Sequence, residues 1–241
     1  MTPLIKELAR IVRHPIQRLL LRGVYNRIRQ LEYRSFNRRF FCVEQIAEYL
    51  IGAQVIGDYC EFGVFEGTTF CHAFRNMALH FPGMKFVAFD SFEGLPQPKG
   101  VDAVDGYSSR FYEHEFSCSR EDFLRNLRRN GVDLTRVRTI EGWFSDTLQP
   151  PVADRHGIDS ISVAWIDCDL YESTVPVLQY LTRRLQLGSV LVFDDWRCFR
   201  NLPDYGQQRA VREWLEKNPQ LTLAELLSFG WNGKVFTVAA T

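Results

Sequence analysis

The chain has 241 residues, of which 46% are hydrophobic and 24% charged, and its formal net charge is zero. This length suits one α/β domain, or one domain with an appendage. No apolar run approaches the ~18 residues needed to span a bilayer, and the N-terminus lacks the apolar core and cleavage site of a secretory signal. The six cysteines form no Cys-x-x-Cys pair, so we expect free thiols and a cytoplasmic protein.

The first 40 residues form a basic arm, with ten Lys or Arg against two Glu, so the arm carries +8 and the remaining residues −8. Such asymmetry suits an anionic membrane surface, a nucleic acid, or an amphipathic arm docked on an acidic body or a second subunit. The apolar residues of the arm recur at helical spacing, which favours docking. Pro15 predicts two helices or one kinked helix. We therefore expect a helical arm over 1–45, a single domain over 46–241 and a homo-oligomer assembled through the arm.

Strands and helices alternate along the chain after the first arm helix. The predicted helices cover 17–35, 43–53, 68–81, 119–131, 175–188 and 207–219. The predicted strands lie within 55–64 and at 84–90, 137–143, 160–167 and 189–195. Ser119 is a plausible N-cap, and Gly188 is predicted to end the helix that begins at residue 175.

Two further segments complete this pattern. Residues 91–118 are rich in Gly, Pro, Asp and Ser without clear periodicity, which predicts a long loop of a length that is usually functional or mobile. Asn232-Gly233 between two β-prone runs predicts a C-terminal hairpin, with these residues suited to positive φ. The whole pattern predicts a doubly wound α/β sheet, mostly parallel, with an antiparallel last strand and an N-terminal helical arm.

Acidic residues stand at the carboxyl ends of most predicted strands. In open α/β sheets, ligands bind outside those ends. The acids at these positions are Glu61, Asp90, Glu141, Asp167 and Asp194. We therefore expect them to lie on one rim of the sheet.

The run CEFGVFEGTTF places a glycine turn after the first strand. Gly63 suits a tight strand-to-helix turn and Gly67 a close approach of the backbone to a ligand, although a plain helix entry would look similar. The run is neither a dinucleotide fingerprint nor a Walker motif, so triphosphate binding is not expected. Asp90, which ends the second strand, can accept both hydroxyls of a ribose. This combination suits a nucleoside cofactor without phosphates, of which S-adenosylmethionine is the commonest.

Trp143 and Phe144 follow a strand end on the same rim. They suit an aromatic wall against an adenine, and they suit core residues equally well.

Asp167, Asp194 and Asp195 follow two strands that should be neighbours. Converging carboxylates repel each other unless they are protonated or neutralised, and an all-oxygen set suits Mg²⁺, Ca²⁺ or Mn²⁺. Other roles are open: Asp169 and Glu172 could begin the next helix, and Asp195 could pair with an arginine such as Arg197 or Arg200.

Five runs together resemble the macrocin O-methyltransferase family: GDYCEFGVFEGTT, AFDSFEGLP, GWFSDTL, IDCDLYEST and VFDDW, which cover roughly residues 56–205. The resemblance implies a class I methyltransferase (Rossmann-like) fold and methylation of a sugar hydroxyl that depends on S-adenosylmethionine and Mg²⁺. It implies cofactor contacts at Glu61, Phe62, Gly63, Val64, Gly67, Thr68, Asp90, Ser91, Phe92, Gly142, Trp143 and Asp167. It implies metal ligation by Asp167, Asp194 and Asp195, with Asp169 in support.

The sequence departs from the family pattern in two places. Glu66 stands where the family usually has an arginine, and the family's loop histidine, its proposed general base, has only His114 in its neighbourhood here. A metal ion on the three aspartates would lower the pKa of an acceptor hydroxyl, and a base within reach would take its proton. We expect His114 to be that base, with Asp167 or Asp169 as the alternative.

The expected function is therefore metal-assisted O-methylation of a small-molecule hydroxyl, on a sugar or other diol of a natural product or glycoconjugate. A catechol-type phenol O-methyltransferase and a non-catalytic partner protein of the same fold are the alternatives. A nucleic-acid partner is not expected, because the Asn/Asp-Pro-Pro-Tyr-like motifs of base methylation are absent.

Overall fold

The computed structural model of the chain describes residues 22–103 and 111–241, with side chains from Asn37 onward. Within these ranges the helices are α1 (Arg22–Ala53), α2 (Thr68–Met77), α3 (Arg120–Arg129), α4 (Phe144–Thr147), α5 (Tyr171–Leu181) and α6 (Gly206–Lys217). The strands are β1 (Asp58–Phe62), β2 (Phe86–Asp90), β3 (Val137–Glu141), β4 (Ile161–Ile166), β5 (Leu185–Phe193), β6 (Thr222–Phe229) and β7 (Gly233–Ala240).

The strands form one seven-stranded sheet in the order β3-β2-β1-β4-β5-β7-β6. Strands β1 to β5 pair in parallel, and β7 pairs antiparallel with β5 and β6. The predicted doubly wound sheet and its antiparallel C-terminal hairpin are thus confirmed. Apolar clusters cover both faces, which is why β4 is buried along its whole length. The strand order reverses between β1 and β4, where a ligand crevice is expected at the carboxyl ends.

Helix α1 is one continuous helix, so the prediction of a separate helix at 43–53 is wrong. No Gly or Pro interrupts the chain between Gly23 and Gly52, and nothing there stops a helix. Its later turns carry Cys42, Ile46 and Leu50, which are fully buried in the core. The boundary proposed at residue 45 falls inside this helix. No helix in the described ranges is long and apolar enough to cross a membrane.

The first part of the basic arm, residues 1–21, lies outside the described residues. The predicted kink at Pro15 belongs to that part. Assembly of a homo-oligomer through the arm stays a prediction.

The helix predicted at 175–188 both starts and ends earlier, and β5 begins at Leu185. Gly188 therefore lies inside a strand, with φ +82°, and a Cβ there would come within 2.8 Å of Val55 Cγ2. The pairing of β5 with β4 shifts register between Ile161 and Val163, so the glycine serves a strand irregularity rather than a helix end.

The C-terminal hairpin turns at residues 230–232. The residue with positive φ is Gly230, at +57°, rather than Asn232 or Gly233 as predicted. The turn is fastened to the parallel sheet: Asn232 Nδ2 donates to the Asp194 carbonyl oxygen at 2.6 Å, and the backbone N–H of Arg197 donates to the Asn232 carbonyl at 3.0 Å. The hairpin therefore reaches the carboxyl end of β5, beside the predicted metal ligands.

Candidate active site

A cavity of about 580 Å³ opens at the carboxyl ends of the parallel strands. Glu61, Asp90, Asp167 and Asp194 all line it, as the strand-end argument predicted. Glu141 also ends a strand but does not line the cavity; it is exposed and lies 3.8 Å from Arg120. The acids of four adjacent strands therefore meet in one space.

The predicted cofactor residues divide by their position relative to this cavity. Those that line it are Glu61, Gly63, Val64, Thr68, Asp90, Ser91, Gly142, Trp143 and Asp167. Phe62 and Phe92 do not: Phe62 stacks on Phe89 in the core at 4.6 Å, and Phe92 packs against Phe123. Side chains alternate along a strand, so Phe62 points away from the face that Glu61 occupies.

Gly67 also stays outside the cavity lining, contrary to the prediction that it lets the backbone approach a ligand. It is buried at φ +81°, and a Cβ there would lie 2.8 Å from Phe123 Cε2. The absence of a side chain thus serves the packing of α2 against α3.

Gly63 has a different neighbour. A Cβ at Gly63 would lie 2.0 Å from the carbonyl oxygen of Asp167, and the residue has φ +87°. The Asp167 N–H donates to the Phe62 carbonyl at 2.9 Å, so the two strand ends are held in register. The glycine turn therefore packs directly on the backbone of a predicted metal ligand.

We call the wall formed by Glu61, Gly63, Asp90 and Trp143 the cofactor half. Asp90 accepts three backbone N–H groups: Val64 at 2.7 Å and Phe65 at 3.3 Å on Oδ2, and Phe92 at 2.7 Å on Oδ1. Burial raises the pKa of Asp90, and these three donors oppose the rise. Asp90 thus holds the glycine turn and its own loop in place.

Glu61 is almost fully buried and accepts a hydrogen bond from the Tyr59 hydroxyl. Burial raises the pKa of Glu61 well above its usual value, and the Tyr59 hydrogen bond partly offsets this rise. Each acid of the cofactor half therefore has hydrogen-bond donors of its own.

The other side of the cavity holds the acidic cluster, which comprises Asp167, Asp169, Asp194 and Asp195. Oxygens of Asp167, Asp194 and Asp195 all lie within 4.8 Å of one another. Burial, followed by the neighbouring Asp167, raises the pKa of Asp195 to about 7. Burial also raises the pKa of Asp169 and of Asp194 well above the usual range.

Few protein groups satisfy these carboxylates. Asp195 accepts from the Asp169 N–H at 3.1 Å and from Cys198 Sγ at 3.3 Å. Asp194 Oδ1 is buried without a hydrogen-bond partner, and its residue is only 1% exposed. Three clustered carboxylates with one unsatisfied buried oxygen fit a hard divalent cation as donor set.

Arg39 is the functional residue that the sequence argument missed. It projects from α1 into the cavity, contacts Asp194 Oδ2 through Nη2, and lies 3.3 Å from Asp167 Oδ2 through Nη1. Its Nη1 also donates to Thr69 Oγ1 at 3.4 Å. Arg39 brings one positive charge to four clustered acids.

The other roles considered for these acids can now be compared with the structure. Arg197 does not pair with Asp195; its guanidinium donates to the Gly233 carbonyl at 3.0 Å and to Ser228 Oγ at 3.1 Å. Glu172 does lie in the first turn of α5, whereas Asp169 precedes that helix in a left-handed conformation with φ +59°.

The first turn of α5 is capped by a residue of the long loop that no sequence pattern indicated. The buried Asp102 accepts from the Tyr171 N–H at 2.8 Å and from the Glu172 N–H at 3.0 Å. The loop is thereby attached to the helix that follows the acidic cluster.

His114 does not line the cavity. It is exposed in the long loop, and its Nδ1 lies 3.1 Å from the Glu93 carbonyl oxygen. Within residues 37–103 and 111–241, no histidine lines this space. The geometry therefore does not favour His114 as the base, and it leaves the carboxylates.

Aromatic side chains surround the cavity mouth. Phe65 and Phe116 are both exposed and form an edge-to-face pair with ring centroids 5.8 Å apart, and Trp231 of the hairpin is 52% exposed. All three line the cavity. Such a rim can stack on the faces of sugar or aromatic rings.

Residues 36–220 match the family model described as Macrocin-O-methyltransferase (TylF). The chain belongs to the macrocin O-methyltransferase family. The match begins at residue 36, so it includes Arg39 and extends beyond the 56–205 region on which the resemblance rested. The family model therefore covers the last residues of the basic arm as well.

Two curated relatives of this chain are sugar or natural-product methyltransferases by name. The chain is 34% identical over 161 residues to 8-demethyl-8-(2,3-dimethoxy-alpha-L-rhamnosyl)-tetracenomycin-C 4'-O-methyltransferase of Streptomyces olivaceus, across 65% of this chain and 58% of that protein. It is also 34% identical over 164 residues to demethyldecarbamoylnovobiocin O-methyltransferase of Streptomyces niveus, across 66% of this chain and 60% of that protein. The matches thus span about three fifths of each relative's length.

The fold agrees with this family assignment. The chain superposes on the solved structure of the O-methyltransferase NovP with a TM-score of 0.68 and 26% identity, covering 84% of this chain and 80% of that chain. The predicted class I methyltransferase fold is thereby confirmed.

Proposed function

We propose that this protein transfers the methyl group of S-adenosylmethionine to a hydroxyl group of a natural product or glycoconjugate, on a sugar or another diol, with the help of a divalent cation such as Mg²⁺. The observation that carries the proposal is the contact between Gly63 and Asp167, which joins the cofactor half to the acidic cluster. A methyl donor on one side would then face a hydroxyl acceptor on the other within one cavity.

The cofactor half would hold the methyl donor. Glu61 and Asp90 offer carboxylate oxygens at the cavity surface for the hydroxyl and ammonium groups of the cofactor, while Trp143 offers a ring face for its adenine. Because Asp90 is already fixed by three backbone donors, its oxygens are held in one orientation before any ligand arrives.

Asp167, Asp194 and Asp195 are the residues that would hold the cation. A divalent cation bound there supplies charge that lowers the pKa of an acceptor hydroxyl. The three aspartates orient the acceptor side, and the aromatic rim of Phe65, Phe116 and Trp231 would pack on the rest of the acceptor.

Asp169 is our candidate for the base. It lines the cavity next to Asp195, and burial together with the neighbouring acids raises its pKa well above the usual value. A cation bound to the neighbouring acids would offset their charge and favour ionised Asp169, which could then accept the hydroxyl proton on a side-chain oxygen.

A phenol acceptor is the second candidate, because the edge-to-face pair Phe65–Phe116 at the mouth also suits a flat aromatic ring. Both candidates use the same cofactor half and the same acidic cluster. They differ only in what the aromatic rim binds.

The direct test is transfer of labelled methyl from S-adenosylmethionine by the full chain. The acceptors would be a panel of neutral glycosides and catechols, with and without EDTA. We expect transfer to a glycoside that EDTA lowers by about 10³-fold or more and that Mg²⁺ restores. The double variant D194A/D195A should show the same loss with Mg²⁺ present. Undiminished, EDTA-insensitive turnover in this variant would overturn the metal role, and transfer to catechols alone would favour the phenol candidate.

A further inference from the structure

We infer that Arg39 is a built-in counter-ion of the acidic cluster, and that a divalent cation competes with its guanidinium for Asp167 and Asp194. The inference rests on the proposed function only in taking Asp167, Asp194 and Asp195 as cation ligands. It assigns Arg39 as a positioning residue, which sets how tightly the cluster binds a cation and how stable the cluster is without one.

The contacts of Arg39 coincide with those that a cation would make. The guanidinium reaches Asp194 Oδ2 and Asp167 Oδ2, two of the three carboxylates whose oxygens lie within 4.8 Å of one another. The second oxygen of Asp194, Oδ1, is buried and has no hydrogen-bond partner. The Asp194 carboxylate therefore offers one oxygen to Arg39 and keeps the other unsatisfied.

A divalent cation among these oxygens would stand next to the guanidinium. Two centres of positive charge at such short range in a buried site repel each other strongly, because the surroundings screen them poorly. The carboxylates of Asp167 and Asp194 cannot neutralise both the guanidinium and the cation. Binding of the cation therefore favours withdrawal of Arg39 from Asp194.

The backbone of α1 gives Arg39 a fixed base for this movement. One turn further on, Cys42 and Val43 are fully buried in the core, so the helix itself cannot retreat. The Arg39 side chain is 26% exposed and lines the cavity, so its long flexible stem can turn the guanidinium toward the open space. The exchange thus needs a rotamer change rather than a helix movement.

Two consequences follow for the protein. With Arg39 in place, Asp167 and Asp194 have a counter-ion whenever no cation is bound, which lowers the cost of burying them together. With Arg39 displaced, that stabilisation is lost, so the cation affinity should be weaker than the three carboxylates alone would give. Arg39 and the cation therefore compete: contact of either one with Asp167 and Asp194 weakens the binding of the other.

The test is Mn²⁺ binding to the EDTA-treated, dialysed full chain, measured by the loss of the free Mn²⁺ resonance signal, together with melting temperatures with and without saturating Mn²⁺. For Arg39→Met we expect about tenfold tighter Mn²⁺ binding, together with a melting temperature that falls clearly without Mn²⁺ and much less with it. Arg39→Lys keeps the charge but loses the two-pronged contact, so its Mn²⁺ affinity should lie between those of the wild type and Arg39→Met. Should Arg39→Met fail to fold, Arg39→Lys carries the test alone, with tighter Mn²⁺ binding than the wild type as the expected result.

The matched control is Arg136→Met. Arg136 is also a partly buried arginine, but its guanidinium donates to the carbonyls of Ala78, Phe81 and Met84, far from the acidic cluster in the fold. This variant should melt lower by the same amount with and without Mn²⁺, and its Mn²⁺ affinity should not change.

The outcomes separate the two ideas. If the wild type binds Mn²⁺ and neither Arg39 variant binds it more tightly, Arg39 does not compete with the cation and the inference is wrong. If neither the wild type nor the variants bind Mn²⁺, the metal part of the proposed function fails and the inference fails with it. Equal melting losses of Arg39→Met with and without Mn²⁺ would make Arg39 an ordinary structural ion pair.

Discussion

The two sides of the cavity stabilise their buried acidic side chains in different ways. On the cofactor half, Asp90 accepts three backbone N–H groups and Glu61 accepts the Tyr59 hydroxyl, so each buried acid has its own donors. In the acidic cluster, Asp167 and Asp194 share one guanidinium, and Asp194 Oδ1 has no partner. On both sides, the acids lie at or just beyond the carboxyl ends of parallel strands. Among the described cavity acids, only the cluster has a buried carboxylate oxygen without a hydrogen-bond partner, Asp194 Oδ1, and this difference marks the cluster as the side suited to a cation.

The largest expected effect tests whether a residue of the acidic cluster removes the acceptor proton without contributing to cofactor binding. Replacing Asp169 with Asn keeps the shape of the side chain and removes its ability to accept a proton, so kcat should fall by about 10²- to 10⁴-fold. Affinity for S-adenosylhomocysteine, measured by calorimetry, should stay within a few-fold of the wild type. A kcat that stays unchanged would remove Asp169 as the base.

A second effect concerns the stability of the cluster as the pH changes. The pKa of Asp195 is raised to about 7, so the folded chain keeps a proton that the unfolded chain has already released near pH 4. The contribution of Asp195 to the free energy of unfolding is fully present below about pH 4. It is lost as the pH rises through about 7, and the free energy of unfolding then falls by about 2–4 kcal/mol. Urea unfolding of the EDTA-treated protein between pH 4 and 8 measures this loss.

Two further measurements test whether this pH-dependent loss of stability comes from the acidic cluster. Mg²⁺ bound to the cluster would hold its carboxylates ionised, so addition of Mg²⁺ should remove much of the loss, and the Asp195→Asn variant should show less of it without Mg²⁺. A loss that neither Mg²⁺ nor this substitution reduces would belong to other buried acids, such as Glu61 and Asp90.

The third effect is expected on the cofactor half, where a substitution should weaken cofactor binding and leave cation binding unchanged. Glu61→Gln keeps an acceptor for the Tyr59 hydroxyl but removes the negative charge, so affinity for S-adenosylmethionine, a net cation, should weaken by about 10- to 30-fold. Mn²⁺ affinity, measured on the same preparation without S-adenosylmethionine, should stay unchanged. If both affinities fell together, the two sides of the cavity would not be separable.

The smallest effect concerns how the long loop joins the cluster. Asp102→Ala removes the cap of α5 and should cost about 1 kcal/mol in the free energy of unfolding, with a raised KM for the acceptor. Ser119→Ala removes a comparable cap from α3, where Ser119 Oγ accepts from the Asp122 N–H. This control should lose similar stability in urea with no change in KM, and equal KM values for both variants would disconnect the loop from acceptor binding.

Strand-end logic predicted the rim correctly because it needs only the order of strands and the parallel pairing. Asp90, Asp167 and Asp194 each end a run of apolar residues, and such runs are readable in one dimension. The cap at Ser119 was readable for the same reason, since its partner Asp122 lies three residues away.

What the sequence could not show are contacts between residues distant along the chain. Arg39 is one of ten basic residues in the arm, and nothing beside it indicates that it reaches Asp194, 155 residues away. Asp102 likewise caps a helix 69 residues further on. The long loop predicted around His114 gave no sign that its histidine would lie outside the cavity lining, because loop conformation depends on packing rather than on local pattern.

The contact between Gly63 and the Asp167 carbonyl has one more consequence. The glycine turn and a cation ligand touch through backbone atoms, so a ligand that shifts or stiffens one also acts on the other. The affinities of the two ligands should therefore be linked. By thermodynamic linkage, the factor by which the cofactor changes the affinity for the cation must equal the factor by which the cation changes the affinity for the cofactor.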